Sequence, residues 1–189
     1  MVRVVRKRWW TGVAVLVLAV VGAGLVWFKP WALWVDETVN EALPSASATP
    51  SSPSPSSRNP GEAPATVPPA TPAGPTTEAQ GTFISHEHTT TGTVKLVRLP
   101  DGSRVVRLEN LDTSSGPDLR VWLTDAPVKE GRAGWHVFDD GTYVSLGKLK
   151  GNKGDQNYAV PAGVDLADLT SVSIWCDRFD VSFGAARLA

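Results

Sequence analysis

The chain has 189 residues, a formal net charge of −1 and a single cysteine, Cys176. One cysteine excludes an intrachain disulfide, and the near-balance of acidic and basic residues excludes the basic face that a nucleic-acid surface needs. Composition divides the chain into four unlike segments, 1–28, 29–43, 44–79 and 80–189, and only the last mixes apolar, charged and turn residues as a globular domain does.

Arg3, Arg6, Lys7 and Arg8 precede residues 9–28, which carry no charge. About twenty helical residues span the roughly 30 Å of a hydrocarbon core. Trp9 and Trp10 at one end, and Trp27, Phe28, Trp31 and Trp34 at the other, suit the two interfaces of a bilayer. The expectation is one uncleaved transmembrane signal-anchor in the cell membrane. The basic tail would be cytoplasmic and the C-terminal domain extracytoplasmic. A cleavage site at Gly22-Ala23-Gly24 is the rival, but apolar residues continue to Phe28.

Residues 29–43 form a juxtamembrane amphipathic segment. Pro30 suits a first helical position, and Trp31, Trp34, Val35 and Val39 share one helical face. A helix lying on the membrane and a plain continuation of the anchor both remain open. Residues 44–79 are rich in Pro, Ser and Thr, offer little to bury, and are expected to be a disordered linker. If extended, that linker would reach on the order of 100 Å, as a stalk or an inert spacer.

Over 80–189 the apolar residues alternate. Val94 and Leu96, Val106 and Leu108, Leu119, Val121 and Leu123, Val172, Ile174 and Cys176, and Phe179, Val181 and Phe183 each mark a half-buried strand. Turn residues such as Pro100-Asp101-Gly102 and Pro161-Ala162-Gly163 separate them. About eight short strands at this spacing predict an all-β fold, an antiparallel β-sandwich.

Candidate chemistry is sparse. Cys176 alternates with core residues, as an inert packing thiol would. Asp177 and Arg178 end its strand, which places it at the mouth of the sandwich, half covered by Trp175 or Phe179. There Arg178 would favour the thiolate. His86 and His88 have a spacing that can clamp copper or zinc, with Glu87 and the distant His136 nearby in kind, but two ligands specify little and no stoichiometric metal is expected. Trp122 and Trp175 alternate away from the core residues of their strands, which leaves three readings open: a binding face, a second covered face, or the opposite assignment of the two faces. No G-x-S-x-G, G-x-G-x-x-G or G-x-x-x-x-G-K motif is present, so a hydrolase or nucleotide enzyme has no support.

Several blocks together resemble a known family. They are Gly81-x-Phe83, Gly92-Thr93-Val94, Gly116-Pro117-Asp118-Leu119, Gly147-Lys148-Leu149-Lys150-Gly151 and, above all, Val172-Ser173-Ile174-Trp175-Cys176 followed by Phe179, Val181 and Phe183-Gly184. Over residues 81–189 the chain resembles the DM-thirteen domain, a proposed electron-transfer module of animal surface proteins and of bacteria. The resemblance implies a β-sandwich whose cysteine, matching Cys176, does redox work, either as a bare thiol or as a ligand to a prosthetic group such as haem. Met1 is the only methionine and no C-x-x-C-H occurs, so the bare thiol is preferred. A single thiol cannot complete a dithiol cycle, so this reading needs a partner: an extracytoplasmic redox protein, a cell-surface protein or a cofactor. The alternative is a non-catalytic binding module on a stalk with Cys176 purely structural. An enzyme with its own turnover has the least support.

Overall fold

The structure, a computed structural model, describes residues 13, 15–24, 35–44 and 74–189. Residues 15–24 are helical and exposed. The rest of the span predicted to cross the membrane, residues 9–12, 14 and 25–28, lies outside the described residues, as does 45–73 of the linker. Among the described residues no helix is long and apolar enough to cross a membrane.

Among the described residues ten strands form two five-stranded sheets, consistent with a β-sandwich. The first sheet runs β1 (Thr38–Asn40), β8 (Lys153–Ala159), β5 (Arg104–Asp112), β4 (Thr91–Arg98) and β2 (Thr76–Thr82). The second runs β3 (Ile84–Ser85), β10 (Val181–Arg187), β9 (Ser171–Cys176), β6 (Leu119–Thr124) and β7 (Tyr143–Lys148). All pairings are antiparallel except β1 with β8, which is parallel.

The predicted alternation supplies the core between the sheets. Val94 and Leu96 of β4, Val106 and Leu108 of β5, Val121 and Leu123 of β6, and Val172 and Ile174 of β9 pack there. Each such side chain contributes about 1.5–3 kcal/mol of burial. A bulge at Ser182–Gly184 shifts the phase of β10 by one residue, so that Val181 and Phe183, then Ala186, all face the core. A Cβ on Gly184 would collide with the side chain of Thr90 at 2.5 Å.

β8 has no apolar alternation. Its inward Gln156, fully buried, is satisfied instead. Its carbonyl oxygen accepts from the Lys150 amide (3.1 Å) and the Tyr158 hydroxyl (2.7 Å), and its amide donates to the Gly151 carbonyl (2.7 Å). Burial pushes the Tyr158 phenol up to about 12, against the opposing hydrogen bond from the Lys150 amide.

Two expectations are corrected at the N-terminal side. Residues 35–44 are not helical, and Thr38–Asn40 is strand β1 on the edge of β8. Helical periodicity lost to tertiary pairing: Lys153 N–H donates to the Glu37 carbonyl at 3.1 Å and Glu41 N–H to the Asp155 carbonyl at 2.9 Å. β2 opens at Thr76, inside the segment read as linker, and Glu78 of that strand bridges Arg98 and Arg104, each at 2.6 Å.

A chain beginning at residue 80 therefore lacks β1 and half of β2. It is expected to be about 2–4 kcal/mol less stable than one beginning at residue 35, from several part-buried hydrogen bonds at roughly 0.5–1.5 kcal/mol each. Denaturant melts of the two chains check this, and coincident midpoints would show that β1 contributes nothing.

Candidate functional site

All six residues of β9 are buried. Val172, Ile174 and Cys176 face the sandwich core, while Trp175 belongs to a second apolar cluster on the opposite face of the sheet, with Trp122, Ala126, Phe138 and Ala185. The cover on that face is the irregular connection between β6 and β7, which includes a 3-10 turn at Gly131–Gly134 and the fully buried Phe138.

Cys176 is 0 % exposed, not half covered. It stands opposite Leu119 of β6 and Val181 of β10, both buried. The turn that follows closes the strand end: Phe179 N–H donates to the Cys176 carbonyl at 3.2 Å and Asp177 N–H to the Asp118 carbonyl at 2.9 Å. Neither expected cover lies over the sulfur in the expected way. Trp175 faces the other layer, and Phe179 is 57 % exposed. Arg178 sits on the same exposed turn.

Trp175 takes part in a continuous series of ring contacts. Tyr143, 43 % exposed, stacks on Trp122 with centroids 4.0 Å apart and planes within 7°. Trp122 stacks on Trp175 at 4.9 Å, Trp175 meets Phe138 edge-on at 6.4 Å, and Phe138 lies 5.7 Å from His86. The Trp122 indole N–H is buried and has no hydrogen-bond partner among the described residues. Alternation placed both tryptophans on the outward face. It held no signal for the lid above them, because the covering loop has no period to read.

His86 is buried at the bend after β3. Its Nε2 lies 3.0 Å from the Lys129 carbonyl, which only accepts, so Nε2 carries the proton. Its Nδ1 then accepts from the Ser182 hydroxyl at 2.8 Å, and Ser182 accepts from Ser173 at 3.0 Å. Sequence reasoning missed this chain. It resembles a nucleophile and its base, but Ser182 is fully buried, so it orders the sheet rather than attacking a substrate. The His88 ring lies against Phe183 at 3.9 Å, and His136 Nδ1 donates to the Asp180 carbonyl. The structure therefore does not bring His86 and His88 together as a pair of ligands. Among the described residues no three His, Cys, Asp or Glu side chains are grouped to hold a metal.

A haem would need a cavity beside an axial ligand. The clefts beside Val35 and Asn152, beside Gln80 and Glu109, and beside Asp36 and Thr113 are lined by no histidine, tyrosine or cysteine. Cys176 is packed, both His86 nitrogens are engaged, and the Tyr158 hydroxyl is bonded. Cys176, His86 and Tyr158 therefore offer a haem no free axial donor.

The family model described as Electron transfer DM13 matches residues 82–188. The chain belongs to this family. No curated protein and no solved structure matches it. The DM13 match covers β3 to β10 and both faces of β9, so Cys176 and the ring series lie within it.

Burial holds the His86 pKa below its ordinary 6.5, against the opposing contact with the Lys129 carbonyl. An unfolded chain therefore binds a proton here more readily than the folded one. The stabilisation is complete above pH 6.5 and is lost as pH falls below it toward the folded value. Stability at pH 5 should be lower than at pH 7, and His86→Phe should remove that acid-side decrement. Denaturant melts at the two pH values, for both chains, measure it.

Proposed function

We propose that this DM13 chain is a membrane-tethered, extracytoplasmic electron-transfer module whose redox group is Cys176. The observation that carries the reading is membership of an electron-transfer family in a chain whose only thiol stands at the end of the most completely buried strand. An extracytoplasmic protein partner supplies the second sulfur or the electron acceptor that one thiol lacks.

The tether rests on the basic cluster before an apolar run and on the exposure of the helical residues 15–24. β1 opens at Thr38, so the distance from residue 28 to the docked strand is at most about 35 Å of extended chain. Docking of β1 thus favours a domain held close to the membrane surface over one carried at the end of a long stalk.

Complete burial of the sulfur favours a second reading, in which Cys176 is packing. Electrons would then pass through the stacked rings that reach the surface at Tyr143, or the domain would serve only as a binding module. Electron exchange between the purified protein and a soluble one-electron mediator separates these readings. Cys176→Ala should abolish exchange and Trp122→Phe should leave it within about twofold if the thiol is the redox group. The opposite pattern assigns the role to the rings, and no exchange by the unaltered protein rules out both electron-transfer readings.

A further inference from the structure

The outer edge of β8 is shaped around an extended segment of chain. A Cβ on Gly151 would collide with the Glu37 carbonyl, and one on Gly154 with the Val39 carbonyl, so both glycines leave room for a backbone lying directly on them. The polar groups of the segment are met individually. The Glu37 amide donates to Asn152 Oδ1 at 2.7 Å, and Arg107, only 9 % exposed, donates to the Glu41 carbonyl at 2.9 Å. Asn157 Nδ2 donates to the Ala42 carbonyl at 2.8 Å. Two acidic side chains meet cations: Asp36 pairs with Lys153 at 3.1 Å and Glu41 with Lys150 at 2.7 Å. Asp112 and Asp155 also face these cations, 3.5 Å from Lys153 and 2.9 Å from Arg107.

The same segment walls a cleft of about 260 Å³. Val35 and Glu37 line it together with Gly116, Asp118 and Leu119. Leu119 stands directly opposite Cys176 on the neighbouring strand and shares its core cluster. Val35 and Glu37 of the segment thus share the lining of this cleft with Leu119, the residue opposite Cys176.

We infer that the β8 edge is a binding slot for an extended acidic peptide, filled here by residues 35–42 of the chain itself, and that emptying the slot opens the way to Cys176. The gating half bears on function through the proposal that Cys176 is the redox group; the slot stands without it. A closed slot accounts for a redox thiol that is fully buried, because access then depends on release of β1. In this device a competing acidic strand from a partner, or tension on the N-terminal segment, admits a partner's disulfide, which the Cys176 sulfur attacks: one Cys176–partner S–S bond forms, the partner's own S–S bond breaks, and its second sulfur leaves as a thiol.

The test measures the rate at which a maleimide labels the single thiol of the full chain, read by mass spectrometry. Glu37→Pro with Glu41→Pro removes two backbone donors of the clasp. Asp36→Lys with Glu41→Lys reverses both ion pairs and serves if the proline variant fails to fold. Either variant should label at least roughly tenfold faster than the unaltered chain, as expected for a local opening made easier. A synthetic peptide of residues 35–42 should slow labelling again, and a scrambled peptide should not. Unchanged labelling in a folded variant overturns the gate, and failure of the peptide to slow it overturns the slot. If labelling rises as expected while Cys176→Ala still exchanges electrons, the slot and gate stand and the redox role of the thiol falls.

Discussion

A strand covered on both faces must find partners for two rows of side chains, and β9 finds them in different layers. Val172, Ile174 and Cys176 are met by the facing sheet, while Trp175 is met by Trp122, Phe138 and the β6–β7 connection. Doubly buried strands are usual in parallel sheets flanked by helices. Here the second cover is a loop, so apolar residues on the outward face of β6 and β9 are required to hold that loop down. The bulge in β10 keeps Phe183 and Ala186 on the core face while Ser182 turns to the other layer, where it bonds His86.

The same constraint governs what Cys176 can do. A thiol at the end of a strand is ordinarily close to solvent, yet here the strand end is closed by Leu119, Val181 and the hydrogen-bonded turn after it. Complete burial keeps reagents and partners from the sulfur, so a redox role for the domain requires either an opening or a route for electrons that bypasses the sulfur. The cleft beside β1 and the ring series ending at Tyr143 are the two features on which the proposed readings rest.

Strands β4, β5, β6, β9 and β10 were legible because each alternates apolar and polar residues over one or two turns of pleat. β8 was not, because Gln156 replaces an apolar residue with a closed set of hydrogen bonds that no hydropathy pattern reveals. β1 was misread as helix because three residues are too few to show a period of two, and what holds them lies far off in sequence, on Arg107, Asn152 and Asn157. The sequence located Cys176 and its facing, but not its depth, which depends on the turn and on the neighbouring strands rather than on its own.

Amide hydrogen exchange on the full chain tests most directly whether a rigid, doubly buried β9 coexists with a clasp that opens alone. Amides of residues 171–176 should exchange only through global unfolding. Those across the β1–β8 seam, at Glu41 and Lys153, should exchange faster through local opening. Equal, global protection at both places would contradict it, because β1 would then be an inseparable part of the core and could not govern access to Cys176.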